Sequence, residues 1–383
     1  MESQPIKVLF ITRKWPPAVG GMELYSEELT NSLSKNTDIE LDIFRLPGTG
    51  QGYAPGLASI MIFMVRCAYY LLRNARRFDV VHFGDFVLFP LAVLDKVICK
   101  QHVRCMTIYG LDLTYGRKKG FLPFLYRKVV FIAAKFQSTV DCYIAISRFT
   151  AQLAEDVGLE NIVTIPLGIR LEKFTEKSQI DDASRCDEYP SVETPFIFYI
   201  GRVVERKGAI WFAKNVLPLF DDNMRFLVAG RIYSKKDRKV LESLPNVEIL
   251  GQVSHEEALR LRKRAVAVVM PNIPLENSAD VEGFGLTALE APAAGGVLIA
   301  ADLEGISDAV IDGTTGYLAK PGDPHDWKEK ICEILAWSRT EREQFVANAR
   351  EALEKEYNWD KVAERTVTQY TLAVKRKLDF VKR

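Results

Sequence analysis

The chain of 383 residues carries almost no net charge, because 51 lysine and arginine residues are balanced by 50 aspartate and glutamate residues. This balance excludes the basic surface typical of nucleic-acid-binding proteins, and we expect no nucleic-acid partner. Low-complexity tracts and short repeats are also lacking, which excludes solenoids and fibrous arrays. Partners must therefore be inferred from local patterns.

Motifs for redox chemistry, metal binding and secretion are missing as well. The six cysteines contain no CxxC pair and the four histidines show no metal-ligand spacing, so we expect free thiols in a reducing compartment, no metal and no cofactor. The first residues contain no basic leader followed by an apolar core, which predicts a cytoplasmic protein. No GxGxxG motif follows a predicted strand, which disfavours a nicotinamide dehydrogenase.

Long apolar runs are absent too. The longest, 57–72, is shorter than the roughly 18 residues that a transmembrane helix needs, and it contains Arg66. Some of its apolar residues recur at helical spacing, at Ile60, Met64, Cys67 and Leu71. We interpret it as a long helix packed on a core, with a helix lying on a membrane surface as the alternative.

Short β-branched segments instead alternate with helix-length amphipathic segments. The predicted strands of the first half are 7–12, 41–46, 80–83, 104–109, 142–147 and 162–165. After a polar stretch the alternation restarts at 196–200, 225–229, 247–250, 266–270 and 297–300. This pattern predicts an α/β protein of two facing Rossmann-like domains with parallel sheets and a deep cleft between them, where ligands bind beyond the carboxyl ends of the strands.

Two glycines, Gly20 and Gly21, precede the first predicted helix. Glycines at a helix entry leave backbone N–H groups open to an anion, although an ordinary structural turn gives the same pattern.

The first strand of the second half is followed by Gly201, Arg202 and Lys207. An arginine and a lysine at a strand-to-helix junction suit a diphosphate whose negative charge grows as it leaves, and two surface cations are the alternative.

The segment from Glu282 to Glu290 places two acids about two helical turns apart, the first in a glycine loop. The spacing indicates different roles, with Glu282 facing a sugar and Glu290 facing a ribose. Gly283 and Gly285 would let backbone amides approach sugar hydroxyls or phosphate. A helix cap with a solvated face is the alternative.

In their order and spacing these motifs resemble glycosyltransferase family 4, a family of retaining enzymes with the GT-B fold. The resemblance covers nearly the whole chain. It rests on Gly20 with Gly21, 147–148, 165–169, 201–208, 282–290 and 312–318.

The resemblance implies metal-independent, front-face transfer of a sugar from a nucleotide diphosphate sugar, the co-substrate, to an acceptor hydroxyl. Arg202 and Lys207 would hold the diphosphate, and Glu290 the ribose. Glu282 would hold the transferred sugar together with the backbone of Gly283, Phe284, Gly285 and Leu286, and Gly20 and Gly21 would lie against the diphosphate. The expected domains are 1–171 for the acceptor, a linker at 172–195, 196–360 for the donor, and a last helix, 361–383, packed back on the first domain.

Two positions depart from the family pattern. Tyr109 stands where a histidine usually precedes Gly110 and Asp112, so the catalytic helper is either the Tyr109 hydroxyl with Asp112 as a hydrogen-bond acceptor, or neither, with Tyr109 filling the cleft wall. Leu167 stands where asparagine is common.

The segment 117–128 interleaves five cations with aromatic and aliphatic side chains. This combination suits an anionic membrane surface, and Arg73, Arg76 and Arg77 add a second basic cluster. We expect a peripheral contact with the inner face of a membrane and a sugar or lipid-linked acceptor, as in polysaccharide, glycolipid or lipid-linked oligosaccharide synthesis. An ordinary amphipathic helix is the alternative.

Three other functions share part of the pattern. A nucleotide-sugar epimerase of the same fold would turn over donor without acceptor, and a non-catalytic nucleotide-sugar binding protein would only bind it. In a third, Glu282 acts as a covalent nucleophile, as in glycosidases with paired carboxylates, which conflicts with its donor-binding role.

Overall fold

The computed structural model describes residues 4–174, 194–275 and 278–381. The strands are β1 (Ile6–Thr12), β2 (Ile39–Arg45), β3 (Val80–Phe83), β4 (Val103–Ile108), β5 (Cys142–Ala145), β6 (Ile162–Thr164), β7 (Phe196–Ile200), β8 (Arg225–Ala229), β9 (Val247–Gly251), β10 (Val268–Met270), β11 (Leu298–Ala301) and β12 (Tyr317–Ala319). The helices are α1 (Gly21–Leu33), α2 (Leu57–Asn74), α3 (Phe89–Ile98), α4 (Gly110–Thr114), α5 (Phe121–Lys135), α6 (Arg148–Asp156), α7 (Ala209–Asn215), α8 (Lys235–Glu242), α9 (His255–Arg264), α10 (Thr287–Ala293), α11 (Ile306–Ala309), α12 (Pro324–Leu335), α13 (Arg339–Glu356) and α14 (Trp359–Val381).

The chain divides into two compact units. Unit 1 comprises Met1–Gly168, Ser278–Gly283 and Tyr357–Arg383, and unit 2 comprises Ile169–Asn277 and Phe284–Glu356. Most of the predicted linker, 172–195, lies outside the described residues. The division differs from the predicted boundaries at 169–171, which are grouped with unit 2, and at 278–283 and 357–360, which are grouped with unit 1.

Unit 1 is built on a parallel sheet whose described strands run in the order β2-β1-β3-β4-β5-β6. Strands β3, β4 and β5 are buried along their whole length, as expected for central strands covered on both faces. Right-handed crossovers place α1 on one face of the sheet and α2, α3, α5 and α6 on the other. Helix α14 packs on α1 and β4 and so belongs to the α1 face.

Unit 2 repeats this architecture with its described strands in the order β12-β11-β10-β7-β8-β9. Its core includes Trp327 of α12 and Phe212 of α7, both fully buried, with ring centroids 5.7 Å apart. The indole N–H of Trp327 donates to the carbonyl of Lys320 at 3.2 Å, so the largest core side chain also satisfies its polar atom.

The predicted α/β class with two Rossmann-like domains is confirmed. Each predicted strand is present with its ends within about two residues, and β12, only three residues long, was missed. Among the described residues, no helix is both long and apolar enough to cross a membrane.

Candidate functional site

In unit 2, the loops that follow β7, β8 and β10 lie at one edge of the sheet, because parallel strands end at the same edge. Glycines allow the backbones of these loops to approach one another closely. A Cβ atom on Gly230 would lie 2.0 Å from the carbonyl oxygen of Gly201, and one on Gly208, whose φ is +71°, would lie 1.7 Å from that of Pro271. Only glycine fits at Gly208 and Gly230, and a compact strand-end site results.

Three cations of the loop after β7 differ in exposure. Arg202 is exposed, Lys207 is half-buried and Arg206 is buried. The carbonyl of Arg206 accepts a hydrogen bond from the N–H of Ile273, which ties this loop to the one after β10. The predicted diphosphate ligands Arg202 and Lys207 therefore lie at a strand end with solvent access, while Arg206, which the sequence analysis missed, is enclosed beside them.

Asn272 is a second residue that the sequence analysis missed. It follows β10, its side chain is 1% exposed, and neither Oδ1 nor Nδ2 has a hydrogen-bond partner among the described residues. An unpaired buried polar group costs about 1–3 kcal/mol, so such an amide marks a place where a ligand or water is the missing partner. The available signal was an asparagine two residues after an apolar strand of a parallel sheet.

Glu290 lies on α10, where its Oε2 accepts a hydrogen bond from Nη2 of Arg262 on α9 at 2.5 Å. The Arg262 side chain is only 5% exposed and that of Glu290 is 28% exposed. Burial lowers the pKa of Arg262, and the neighbouring Glu290 opposes that shift. The pair orients Glu290 while part of its carboxylate remains accessible. Sequence reasoning identified Glu290 but missed Arg262, because α9 reads as an ordinary amphipathic helix.

The residues just before α10 contribute backbone rather than side chains. Phe284 is 2% exposed and is a core residue. Gly285 has a φ of +88°, a left-handed conformation that favours glycine. The predicted contacts of Phe284, Gly285 and Leu286 with a donor would therefore come from main-chain atoms, and they stay predictions.

In unit 1, the loop after β1 leads to the start of α1. Gly21 is the first residue of α1, and a Cβ atom on Gly20 would lie 2.5 Å from Oε2 of Glu23. Glu23 is buried and its Oε1 lies 3.3 Å from Nζ of Lys14. Glycine at position 20 leaves room for this ion pair, and the N-cap of α1 makes no side-chain hydrogen bond within the described residues. The contact of Gly20 and Gly21 with a diphosphate stays a prediction.

Tyr109 and Asp112 lie at the start of α4, directly after β4. The N–H of Tyr109 donates to Oδ2 of Asp112 at 3.0 Å, which caps the helix. The Tyr109 ring is 5% exposed and packs edge-on against Tyr25 at 5.7 Å between centroids. Its hydroxyl has no hydrogen-bond partner among the described residues. The fold therefore holds the ring in place but does not use the hydroxyl.

Asp112 lies near a second buried carboxylate, Asp85. Burial, and then the charge of Asp85, raise the pKa of Asp112 to about 7. Asp85 is fully buried and its Oδ2 lies 2.9 Å from Nε of Arg13. Asp112 therefore exchanges its proton near neutral pH, so it can act as donor or acceptor. Its sequence context indicated only an acceptor.

The segment 278–283 lies in unit 1 beside α4 and α6. Thr114 donates to the carbonyl of Ala279 at 2.7 Å, and a Cβ atom on Gly110 would lie 2.9 Å from Val281 and 3.3 Å from the Cα of Gly283. Glu282, which is half-buried, and Gly283 are thus brought to the Tyr109–Asp112 loop. The structure divides the predicted motif, with Glu282 and Gly283 in unit 1 and the residues from Phe284 to Glu290 in unit 2.

Two Rossmann-like units with parallel sheets are the architecture of GT-B glycosyltransferases, and solved structures of such enzymes align over nearly the whole chain. Two family models match: Glycosyltransferase Family 4 over residues 19–173 and Glycosyl transferases group 1 over residues 184–352. The chain belongs to glycosyltransferase family 4.

Individual relatives are distant. The uncharacterized glycosyltransferase MJ1178 of Methanocaldococcus jannaschii is 28% identical over 167 residues, 43% of this chain and 45% of that protein, so this match spans less than half the length of the relative. The GDP-mannose-dependent monoacylated alpha-(1-6)-phosphatidylinositol monomannoside mannosyltransferase of Corynebacterium glutamicum is 24% identical across 94% of this chain and 96% of that protein. The structure of Anabaena HepE in complex with UDP has a TM-score of 0.70 at 15% identity, covering 96% of this chain and 100% of that chain.

Proposed function

We propose that this glycosyltransferase is retaining and metal-independent, and that unit 2 holds its nucleotide diphosphate sugar. The observation that carries the proposal is the strand-end site of unit 2. There the accessible cations Arg202 and Lys207 lie on a loop tied to the one that bears Asn272, whose buried amide has no partner among the described residues. Cations and free polar groups at the carboxyl end of a parallel sheet suit a nucleotide diphosphate.

The transfer proceeds on one face of the sugar. The acceptor oxygen bonds to the anomeric carbon while the bond from that carbon to the diphosphate oxygen breaks, and the acceptor proton passes to the leaving diphosphate. Arg202 and Lys207 stabilise the negative charge that grows on the diphosphate. Glu282 and the backbone of 283–286 hold the sugar, and Glu290, oriented by Arg262, holds the ribose. Gly20 and Gly21 offer N–H groups to the diphosphate.

Tyr109 and Asp112 serve the reacting centre in this proposal. The Tyr109 hydroxyl is free of other hydrogen bonds among the described residues, so it can donate to the sugar or the leaving oxygen. Asp112 holds the Tyr109 backbone and titrates near neutral pH, so it can accept a hydrogen bond from substrate or donate one.

Cationic side chains take the place of a metal in this proposal. The two buried histidines are used by the fold: His82 bonds to Tyr370 and Thr107, and His102 bonds to Asp95 and the carbonyl of Ala75. Activity should therefore persist in excess EDTA, and an activity restored only by added divalent cations would contradict this part.

For the acceptor we propose a sugar or lipid-linked hydroxyl in polysaccharide, glycolipid or lipid-linked oligosaccharide synthesis, reached by a cytoplasmic enzyme that contacts the membrane through 117–128. The corynebacterial relative, named as acting on a phosphatidylinositol monomannoside, supports a lipid-linked acceptor. The cations and exposed aromatic side chains of 117–128 support the membrane contact.

The first test is a thermal-shift screen against UDP, GDP, ADP and TDP, because a ligand that binds only the native state raises its stability. We expect one nucleotide to raise the Tm in wild type and in the exposed-surface control Lys235→Ala, and to lose this effect in Lys207→Ala. NMR of the product should then show the anomeric configuration of the donor. No shift with any nucleotide, inversion, or epimerised donor in a reaction without acceptor would each contradict the proposal.

A further inference from the structure

Helix α2, which the sequence led us to interpret as a packed helix, is covered along one side only. Its buried side chains are Phe63, Cys67 and Leu71. The remaining circumference carries large apolar side chains, each at least 59% exposed: Leu57, Met61, Ile62, Val65, Tyr69 and Leu72. A soluble helix normally presents charged and polar residues on this side, so α2 has an apolar surface that no described residue of unit 1 covers.

Helices α3 and α5 continue this surface. All three helices pack against the same face of the unit 1 sheet and share one hydrophobic core, represented by Phe63, Phe89 and Val130. On α3, Val97 is 76% exposed. The exposed apolar side chains of α5 are Phe121, Leu122, Phe124, Leu125, Phe131 and Ile132. We define the exposed residues of these three helices as the α2–α3–α5 face.

The charges of this face are of one sign. Helices α2 and α5 contain no acidic residue, and the single acid of α3, Asp95, is fully buried and paired with Arg104 and His102. The cations of the three helices are Arg66, Arg73, Lys96, Arg127, Lys128 and Lys135.

Several of these cations lie against aromatic rings rather than carboxylates. Arg73 lies 5.7 Å from the ring centroid of Tyr69, and Arg127 and Lys128 lie 5.6 and 5.5 Å from that of Phe124. Ring contacts position a cation but leave its charge uncompensated. The face therefore combines exposed apolar area with positive charge that has no carboxylate on the same helices to neutralise it.

We propose that the α2–α3–α5 face docks on an anionic lipid bilayer, with apolar side chains of α2 and α5 entering the headgroup boundary and the cations meeting lipid phosphates. The inference extends the membrane contact proposed above from one segment to three helices and gives α2 a function. A second copy of the chain fits poorly, because two such faces would bring cations together without any acid to pair them.

The test is co-sedimentation with vesicles of phosphatidylcholine alone or mixed with phosphatidylglycerol. The double variant Val65→Ser with Tyr69→Ser removes apolar area from α2, and Arg127→Glu with Lys128→Glu reverses charge on α5. The matched control is Tyr233→Ser with Lys235→Glu in unit 2, where Tyr233 is 65% exposed. We expect wild type and control to bind mixed vesicles. Each unit 1 double variant should bind them at least about tenfold more weakly.

Added salt should weaken the binding of wild type without abolishing it, since the apolar part is not screened. Absence of binding to mixed vesicles at low salt would overturn the proposal, as would equal binding by both unit 1 variants and wild type. Concentration-dependent self-association in analytical ultracentrifugation that the same substitutions remove would assign the face to a second copy instead. No nucleotide is present, so the outcome is independent of the donor-site tests, and circular dichroism melts check that each variant is folded.

Discussion

The two units distribute polar and apolar side chains differently, although they share one architecture. Among the described residues, the large hydrophobic side chains that are exposed all lie in unit 1 except Tyr233 and Leu335. The polar and charged residues that are buried also all lie in unit 1 except Arg206, Arg262, Asn272 and Thr315. Unit 2 therefore follows the usual partition between core and surface, and unit 1 departs from it in both directions.

The two departures of unit 1 have different physical meanings. Part of the buried polar set is fully satisfied and ties elements together: His82 bonds to Tyr370 of α14 and to Thr107 of β4, and Tyr25 also bonds to Thr107. Burial lowers the pKa of His82 to about 3, so this network is neutral at ordinary pH. Tyr109 and Asp112 differ, because one has an unused hydroxyl and the other a raised pKa. An unpaired buried hydroxyl and a strongly shifted carboxyl are features by which candidate functional residues are chosen for testing.

The largest expected effect on binding or catalysis belongs to unit 2. Replacing Lys207 with alanine should weaken donor binding by about 100-fold, the loss expected for a charge-assisted hydrogen bond to a diphosphate. Calorimetric titration with the stabilising nucleotide measures it, and Lys235→Ala on exposed α8 is the control. Unchanged affinity in Lys207→Ala and in Glu290→Ala would contradict a donor site in unit 2. The proposed functional difference between the two units would then fail.

The next effect tests whether the unused hydroxyl of unit 1 serves the reaction. Tyr109→Phe should lower kcat by about 10-fold to 100-fold with donor affinity unchanged, because a donor aimed at developing charge is lost. Its Tm should not fall, since no hydrogen bond within the described residues is broken. Tyr143→Phe is the matched control, because the hydroxyl of Tyr143 is also buried and has no hydrogen-bond partner in the described part of the chain. Equal kcat in wild type and Tyr109→Phe would leave Tyr109 as a wall residue.

A smaller effect is expected from the ion pair of unit 2. Arg262→Met should weaken donor binding by about tenfold, because Glu290 loses the partner that orients it, and should also lower the Tm through the loss of a mostly buried pair. The loss in affinity should not add to that of Glu290→Gln, since both act through one carboxylate. Additive losses in the double variant would show that Arg262 acts independently of Glu290.

The last prediction concerns stability and its dependence on pH, rather than binding or catalysis. The folded pKa of Asp112, about 7, lies above its ordinary value of 3.8, so its contribution to stability is complete at low pH and is lost as pH rises through 7. Relative to Asp112→Asn, the unfolding free energy of wild type should fall by up to about 4 kcal/mol between pH 4 and pH 8. Urea unfolding of both proteins across this pH range measures the difference in unfolding free energy. If the unfolding free energies of wild type and Asp112→Asn change with pH in parallel, Asp112 is solvated rather than buried.

Much of the fold could be read from local pattern. The β-branched segments and the helix-length intervals between them predicted all the strands except β12, and glycines and cations directly after strands predicted which loops lie at the carboxyl edges. Strand β12, Tyr317–Ala319, was missed because it is short and contains no β-branched residue, whereas the equally short β6 and β10 do. The linker prediction at 172–195 falls mostly outside the described residues, so it stays a prediction.

The candidate sites were less accessible to sequence reasoning. The pairing of Arg262 with Glu290 joins residues 28 positions apart on two helices, and the position of Ala279 against Thr114 joins residues 165 apart. No periodicity reports such contacts. Whether the Asn272 amide and the Tyr109 hydroxyl find hydrogen-bond partners also depends on what surrounds each side chain, and neither has one within the described residues.

By itself the sequence determined the class, the two repeats of alternating strands and helices, and the residues that follow the strands, because these depend on period and on the special geometry of glycine. Only the tertiary structure decided which side of α2 is covered, which carboxylates lie together, and which buried polar atoms lack partners. Those properties arise from packing between residues distant in the chain, and a helix such as α2, apolar around most of its circumference, gives no local sign of which side meets the core.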